Sequence, residues 1–284
     1  MAVAVVTGAN TGIGLAAAKA FASRGFTTVL ACRNQQKAET ARQEIVAAQP
    51  DSDVHLVPLD LASLDHVRRS ADALSQRFPA VDVLVNNAGV LPLRRAFSED
   101  GYELQFGVNY LAPFLLTHLL LPRLIAAAET SGDSRIVHLS SLAHNVGRIR
   151  ESTWRGARWQ SPVGCYAQSK MGNLMFNYAL ARRLSPRVST YAVHPGSVDS
   201  DIWREAPKPL YWALKPTFVA TDVPGELIAE IATADEYRAR SGDYFTVQKP
   251  NPVRRYARNE AQQDSLYLRS CELVGIDPLP PNAG

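Results

Sequence analysis

Cysteine is scarce in this 284-residue chain, and the little that is present follows no metal-binding or redox pattern. The three cysteines are Cys32, Cys165 and Cys271, and none belongs to a C-x-x-C motif. Such an odd, dispersed set is typical of a reducing compartment, so we expect a cytoplasmic protein. His138, His144 and His194 are also scattered and lack neighbouring carboxylates, so we expect no metal site.

An excess of one charge is also lacking. The chain has 30 Lys and Arg against 27 Asp and Glu, a net charge of +3, and 46% of its residues are hydrophobic. This balance favours a globular protein with a buried core over a nucleic-acid-binding surface. Residues 144–160 combine four arginines with Trp154 and Trp159, a composition found where proteins bind single-stranded nucleic acid. The low net charge favours a solvated insert instead.

No secretory signal is visible, because MAVAVVTGAN enters a glycine motif after a few apolar residues. Long uninterrupted apolar runs are missing as well. The most apolar stretch, residues 110–128, contains Pro113, His118, Pro122 and Arg123. We therefore expect it to be a core helix, and we expect no membrane anchor.

Short apolar runs alternate with helical patterns along the chain. The predicted strands are 2–7, 27–31, 53–59, 81–86, 135–140, 188–193 and 243–247. This alternation predicts an α/β protein with a doubly wound parallel sheet of about seven strands and helices on both faces. Because the chain has no internal repeat or low-complexity linker, we expect residues 1–284 to form one Rossmann-type domain.

The alternating pattern breaks at residues 197–220, which are rich in proline and apolar residues. The large apolar residues are Trp203, Leu210, Tyr211, Trp212, Leu214 and Phe218. We expect this segment to form a lid over a bulky lipophilic substrate, although simple packing on the core would explain the same composition.

A glycine-rich sequence, TGANTGIG at residues 7–14, lies between the first strand and the first helix. Gly8, Gly12 and Gly14 permit a tight turn and a close approach of the backbone to a ligand. The N-terminus of the following helix offers N–H groups to a pyrophosphate. The spacing differs from G-x-G-x-x-G, but the position predicts a dinucleotide site.

The second strand ends in ACRN and lacks the Asp or Glu that usually binds the ribose 2′-hydroxyl of NAD. Arg33 is present there instead. A guanidinium group pairs well with a 2′-phosphate, so we expect NADP as the cofactor. The alternative is a surface arginine that caps the following helix.

Tyr166 and Lys170 lie four residues apart in GCYAQSKMGN, and a helix would place both on one face. A nearby ammonium favours the phenolate form of a tyrosine, so we expect Lys170 to lower the pKa of Tyr166. Such a pair can act as a general acid or base near neutral pH. For the adjacent Cys165, we expect a small buried side chain and not a reactive thiol.

These motifs together resemble the short-chain dehydrogenase/reductase family. TGANTGIG, LDL at 59–61, NNAG at 86–89, LSS at 139–141, YAQSK at 166–170 and HPG at 194–196 follow the family's order over essentially the whole chain. The sequences ACRNQQKA, SSLAHNVGRI and YARNEAQQDSLYLRSCELVGI resemble the retinol dehydrogenase-like branch, which includes light-dependent protochlorophyllide reductase. The 24 residues between Ser141 and Tyr166 are also similar to that branch.

The resemblance implies an enzyme that interconverts a carbonyl and an alcohol, and it assigns four catalytic roles. Tyr166 would be the acid or base, and Lys170 would lower its pKa and bind the nicotinamide ribose. Ser141, in preference to the adjacent Ser140, would hold the substrate oxygen. Asn109 would take part in a proton relay through water.

The resemblance also implies the residues that contact the cofactor. They are Gly8, Asn10, Thr11, Gly12, Ile13, Gly14, Arg33, Asp60, Leu61, Asn87, Ala88, Gly89, Tyr166, Lys170, Pro195, Gly196, Val198 and Ser200. Asp60 and Leu61 would contact adenine, and Asn87, Ala88 and Gly89 would line the adenosine ribose. Ser200 stands where the family commonly has threonine.

We therefore expect an NADP-dependent oxidoreductase acting on a lipophilic small molecule, in the reductive direction. A C=C reductase, an epimerase and a non-catalytic NADP-binding sensor are alternatives on the same scaffold. The helices that hold Asn109 and Tyr166 commonly pair between subunits in this family, so a homodimer is open alongside a monomer.

Overall fold

A seven-stranded parallel sheet forms the centre of the computed structural model, which describes residues 1–157, 159–198, 218–247 and 253–282. The strands are β1 (Val3–Thr7), β2 (Thr27–Cys32), β3 (Val54–Pro58), β4 (Val83–Asn86), β5 (Ser134–Leu139), β6 (Val188–His194) and β7 (Tyr244–Thr246). Their order in the sheet is β3-β2-β1-β4-β5-β6-β7. All seven predicted strands are confirmed, with ends that differ by one or two residues.

Helices cover both faces of the sheet, as predicted. They are α1 (Gly12–Ser23), α2 (Gln35–Ala48), α3 (Leu64–Arg77), α4 (Leu104–Phe106), α5 (Ala112–Ser131), α6 (Pro162–Ala181), α7 (Asp222–Thr233) and α8 (Glu260–Val274). One apolar cluster joins α1, α2 and α7 to the sheet, and the other joins α3, α5, α6 and α8. The chain is a single Rossmann-type α/β domain.

Polar side chains define where several helices begin. The Asn34 side chain accepts a hydrogen bond from the N–H of Lys37 (2.9 Å) at the start of α2, and Ser161 accepts one from Gly164 (3.1 Å) at the start of α6. Each of these caps satisfies an N–H group that lacks a partner within its helix. Helix α1 has no such side-chain cap at Thr11. Its first N–H groups therefore remain available to a ligand.

Helix α5 is the apolar core helix that the sequence predicts. It continues from α4 through a π-helical turn at Gly107–Leu111. Residues 104–131 are long and apolar enough to span a membrane by length and composition alone, so the expectation that no run reaches this length is wrong. Yet 67% of the 18-residue apolar stretch within this helix is buried inside the protein, which supports the assignment of the helix to the core. Most of the predicted lid, residues 199–217, lies outside the described residues.

Candidate active site

The carboxyl ends of β1, β2, β4, β5 and β6 bring the predicted site residues to one edge of the sheet. Strand β1 pairs with β2 on one side and with β4 on the other, so the strand order reverses direction at β1. Such a reversal of strand order opens a crevice at the carboxyl ends of the strands, where ligands bind in open α/β folds. The predicted glycine loop follows β1, and the Tyr166 helix packs beside β5 and β6.

The glycine loop has the backbone shape that a dinucleotide requires. Gly8 and Gly12 have φ angles of 64° and 57°, in the left-handed region that favours glycine. A Cβ on Gly14 would lie 2.5 Å from the carbonyl oxygen of Gly8 and would also collide with Asn87. Because α1 is uncapped, its N–H groups are available where a pyrophosphate would bind. The residues present therefore fit a dinucleotide cofactor.

Thr7, which the sequence interpretation missed, connects the glycine loop to the NNAG turn. Its hydroxyl accepts hydrogen bonds from the N–H groups of Asn87 and Ala88, both at 3.0 Å. The Asn87 side chain donates in turn to the Thr7 carbonyl at 2.8 Å. These bonds hold together two loops that come from distant parts of the sequence. Only the threonine that opens TGANTGIG could have indicated this role.

Arg33 lies at the end of β2, and its side chain is exposed. Among the described residues, no hydrogen bond or ion pair uses its guanidinium group. The cap of α2 is Asn34, so Arg33 does not cap that helix. The backbone of Ala9 and Asn10 lies close enough to the Cys32 thiol to act on its pKa, which places the end of β2 against the glycine loop.

Asp60 and Leu61 follow β3. In the sheet, β2 lies between β3 and β1, the strand that leads into the glycine loop. The Asp60 carboxylate accepts a hydrogen bond from the N–H of Ala62 (2.9 Å), and its own N–H donates to His66 Nδ1 (3.2 Å). Leu61 is buried in the core. In the structure, these residues shape the turn after β3.

Asn109 lies in the π-helical turn and is buried. Its side chain accepts a hydrogen bond from the N–H of Val90 (2.7 Å) and donates to the carbonyl of the same residue (3.0 Å). It also donates to the Ser169 hydroxyl at 3.2 Å. The amide thus joins the segment after β4 to α6, directly before Lys170. The Asn109 side chain therefore holds these two segments in position, and its hydrogen bonds go to protein groups more than to water.

Tyr166 and Ser141 are neighbours, because the Ser141 hydroxyl lies close enough to the phenol to lower its pKa. Burial raises the pKa of Tyr166 from 10.0 to about 12, against the lowering effect of the Ser141 hydroxyl. Ser140 instead donates to the backbone carbonyl of Lys170 at 3.0 Å. Of the two serines, Ser141 is therefore the one that lies beside the tyrosine.

Lys170 is buried, with its Nζ atom donating to the carbonyl of Leu139 at the end of β5 (2.8 Å). Asn173 donates to the same carbonyl at 3.0 Å. The ammonium lies 5.6 Å from the centre of the Tyr166 ring. Burial lowers the pKa of Lys170 to about 8. The expected lowering of the Tyr166 pKa by Lys170 is wrong for the protein by itself, because burial dominates at both groups.

The NNAG turn completes this group of residues. A Cβ on Gly89 would lie 3.4 Å from Asn109 Oδ1 and 3.7 Å from Lys170 Nζ. The structure therefore brings Asn109, Ser141, Tyr166 and Lys170 together beside the turn. Gly196 follows β6 with a φ angle of 80°.

The structure describes only one of the two remaining predicted cofactor contacts, Val198 and Ser200. Val198 is buried and forms an isolated bridge with Val219. Ser200 lies outside the described residues.

Cys165 is a buried free thiol, as expected. Its thiol lies near the Glu103 carboxylate, and burial followed by that carboxylate raises its pKa to about 12. Glu103 in turn accepts hydrogen bonds from the N–H groups of Gln105 (3.0 Å) and Phe106 (2.9 Å) at the start of α4. The thiol is therefore protonated at neutral pH and connects α6 to α4. Among the described residues, no three His, Cys, Asp or Glu side chains form a group suited to a metal.

Comparison with known proteins agrees with this geometry. The family model for short chain dehydrogenase matches residues 2–210. Retinol dehydrogenase 12 from Mus musculus is 40% identical over 277 residues, which cover 96% of this chain and 86% of that protein. A crystal structure of a protein from Mycobacterium paratuberculosis matches with a TM-score of 0.71 and 31% identity, covering 99% of this chain and 95% of that chain.

A short chain dehydrogenase from Burkholderia cenocepacia J2315, solved in complex with NADP, has a TM-score of 0.68 and 25% identity. The match covers 86% of this chain and 95% of that chain. Sequence and fold thus lead to the same result as the arrangement of the site. The chain belongs to the short-chain dehydrogenase/reductase family, in its retinol dehydrogenase-like branch, and is an oxidoreductase that interconverts alcohols and carbonyls with a nicotinamide cofactor.

Proposed function

We propose that this protein uses NADPH to reduce a carbonyl group on a lipophilic small molecule to the alcohol. The observation that carries the proposal is the Tyr166 phenol, which lies beside the Ser141 hydroxyl and has the ammonium of the buried Lys170 5.6 Å from the centre of its ring. A carbonyl oxygen that becomes an alkoxide needs a proton donor and a hydrogen-bond donor within reach. Tyr166 and Ser141 supply these two groups side by side.

The protonation state of Tyr166 supports the reductive direction. With a pKa of about 12, the phenol keeps its proton at neutral pH and can give it to the substrate oxygen. Lys170, with a pKa of about 8, is mostly charged at neutral pH. Its ammonium stabilises the phenolate left after the proton is given, because the two groups share a low-dielectric site.

Each catalytic residue has a distinct proposed role. The bound cofactor supplies the hydride. Ser141 holds the substrate oxygen while Tyr166 protonates it. Asn109 fixes the segment after β4 against Ser169, so that α6 presents Tyr166 and Lys170 in a constant position.

Arg33 supports the preference for NADPH. Arg33 is exposed, directly follows Cys32, which lies against Ala9 and Asn10 of the glycine loop, and is not used by α2, whose cap is Asn34. A 2′-phosphate there would gain charge-assisted hydrogen bonds. We propose that Arg33 supplies this contact.

Replacing Arg33 by alanine should weaken NADPH binding and leave NADH binding nearly unchanged. A lost charge-assisted hydrogen bond costs about 1–3 kcal/mol, or roughly 5- to 150-fold in Kd. Titration of both cofactors against wild type and Arg33→Ala measures this. Arg24→Ala is a matched control, because Arg24 is paired with Glu226 instead. Equal affinities for both cofactors in the wild type would contradict the assignment.

Two observations support a lipophilic substrate. Val146 is 68% exposed on the short helix that begins directly after Ser141, which adds apolar surface beside the site. The mouse relative is named a retinol dehydrogenase, and retinol is a lipophilic alcohol. We therefore propose apolar aldehydes or ketones as the substrate class.

A screen of NADPH consumption tests the proposed reaction. Aldehydes, ketones and α,β-unsaturated carbonyl compounds of increasing apolar size should be compared under identical conditions. We expect turnover with saturated aldehydes or ketones and a rise in kcat/KM with apolar size. Turnover restricted to C=C bonds would contradict carbonyl reduction, and cofactor binding without any turnover would favour a sensor.

A further inference from the structure

A histidine three residues beyond Ser141 is hydrogen-bonded back to it. His144 is fully buried, and its Nδ1 atom lies 2.5 Å from the Ser141 carbonyl oxygen. The backbone N–H of His144 donates to the same oxygen at 3.0 Å. Because a carbonyl oxygen only accepts hydrogen bonds, Nδ1 carries the hydrogen of the ring. The Ser141 carbonyl is therefore held by two hydrogen bonds from one residue.

These hydrogen bonds fix the residue whose hydroxyl lies beside Tyr166. Ser141 has an extended backbone, with φ −159° and ψ 156°, between the end of β5 and the short helix Leu142–Val146. Its hydroxyl oxygen accepts a hydrogen bond from the N–H of Ala143 at 3.2 Å. The hydroxyl hydrogen is left to be donated elsewhere. Both polar groups of Ser141 are thus set by the turn that follows it.

The turn that carries Ser141 and His144 is held between β7 and α6. The His144 ring meets the Tyr244 ring of β7 edge-on, with centres 5.1 Å apart and an interplanar angle of 85°. Gly147, at the end of the turn, packs so closely on α6 that a Cβ there would collide with the Ala167 carbonyl. Ala167 directly follows Tyr166. Packing therefore restrains the His144 ring, and the turn touches the helix beside the tyrosine.

The surroundings of His144 keep its ring neutral. Burial lowers the pKa of His144, against the raising effect of the Ser141 carbonyl, and Arg254 lowers it further. The other titratable groups near the ring are Tyr244 and His194. Nε2 is buried and has no hydrogen-bond partner among the described residues. A second proton on the ring is therefore unfavourable, and His144 stays an N–H donor to Ser141.

We propose that His144 is a positioning residue, whose Nδ1–H group holds the Ser141 backbone so that the serine hydroxyl is presented to the substrate oxygen beside Tyr166. The proposal rests on the proposed function, in which Ser141 holds that oxygen. His144 acts through Ser141 alone and contacts neither substrate nor cofactor. Its ring transfers no proton during turnover.

The contribution of His144 is orientation. A donor stabilises an oxygen that gains negative charge only when it lies about 2.7–3.1 Å from that oxygen, and small misplacements lower the rate. Without the ring, the Ser141 carbonyl keeps one hydrogen bond, from the His144 backbone N–H. The serine can then rotate its hydroxyl away from the substrate. Loss of the ring should therefore weaken the help that Ser141 gives and leave cofactor binding unchanged.

A double-mutant cycle of His144→Phe and Ser141→Ala tests the proposal, with NADPH and the best aldehyde from the screen. His144→Phe keeps an aromatic ring against Tyr244 and removes the donor. We expect it to lower kcat/KM by about tenfold when Ser141 is present, with an unchanged Kd for NADPH. In the Ser141→Ala background it should have little further effect, because no serine hydroxyl is left to position.

Two further variants separate positioning from a general effect on the fold. His144→Asn offers a side-chain N–H to the Ser141 carbonyl and should recover most of the lost kcat/KM. His118→Phe is the matched control, because the His118 ring is bonded to the Phe114 carbonyl (2.8 Å) and the Tyr267 hydroxyl (2.9 Å) and not to Ser141. It should leave kcat/KM unchanged in both backgrounds. If the melting temperature shows that His144→Phe does not fold, the smaller His144→Leu replaces it in the same cycle.

Three results would overturn the positioning role while leaving the proposed function intact. The first is wild-type kcat/KM in the variant without a donor. The second is an equal loss with and without the Ser141 hydroxyl, which would make His144 merely structural. The third is no recovery in His144→Asn. A wild-type protein that consumes no NADPH with any carbonyl compound would contradict the proposed function and the positioning role together.

Discussion

Replacing Tyr166 by phenylalanine is expected to lower kcat by at least about a hundredfold, the usual contribution of a positioned general acid. The substitution removes one hydroxyl whose partner is Ser141, so the fold and the affinity for NADPH should be retained. Steady-state kinetics with a saturating aldehyde, together with the melting temperature and the Kd of NADPH, give the measurement. A fall in kcat with little change in cofactor affinity is the signature of a group that acts in the transition state.

Tyr102→Phe is a suitable control for this experiment. Tyr102 is a buried tyrosine, and its hydroxyl donates to the Leu273 carbonyl at 3.4 Å, away from Ser141. Its turnover should match the wild type. If Tyr166→Phe also reduces the best substrate at nearly the wild-type rate, the proton comes from water or the substrate, and the assignment of Tyr166 is incorrect.

Replacing Lys170 by methionine should lower kcat and also weaken NADPH binding, because we propose that the ammonium serves both Tyr166 and the nicotinamide ribose. The combined loss should distinguish this variant from Tyr166→Phe. The fold should persist, since the Leu139 carbonyl keeps its hydrogen bond from Asn173. Kinetics and cofactor titration on the same preparation measure both effects. Wild-type affinity for NADPH in Lys170→Met would contradict the contact with the ribose.

The pH dependence of stability gives Lys170→Met a second readout. The Lys170 pKa is about 8 in the folded protein, below its ordinary value of 10.5. Between these values the unfolded chain binds more protons than the folded one, so this group makes unfolding less favourable as pH rises. From pH 8 to 10 the free energy of unfolding of the wild type should therefore rise relative to that of the variant. Denaturant titrations at several pH values measure it, and parallel curves would place Lys170 in a less buried position.

The strands and the cofactor loop could be predicted from the sequence because their signals are local. Buried parallel strands are short apolar runs between turn residues, and the glycine loop lies where a strand meets a helix. The spacing of Tyr166 and Lys170 was likewise sufficient to place both on α6. Family resemblance then added Ser141 and Asn109, which come from other segments of the chain.

What the sequence could not supply depends on contacts between distant segments. The π-helical turn around Asn109 has no distinct residue pattern, and the hydrogen bonds of Thr7 join β1 to the turn after β4. The sequence also could not show how far the phenol of Tyr166 is removed from water, so the expected lowering of the Tyr166 pKa was wrong for the protein alone. The buried, unpaired polar atoms of His194 and Tyr244 come to one face only when β5, β6 and β7 are placed in register. A cytoplasmic location and a homodimer stay predictions.

The fate of the hydride tests the central claim most directly. NADPH that carries deuterium at the transferable C4 position should be incubated with the protein and an apolar α,β-unsaturated aldehyde, and the product examined by mass spectrometry and NMR. Carbonyl reduction predicts an allylic alcohol with one deuterium on the carbinol carbon and an intact C=C bond. A saturated aldehyde with deuterium on the β-carbon, or no deuterated product at all, would contradict the account.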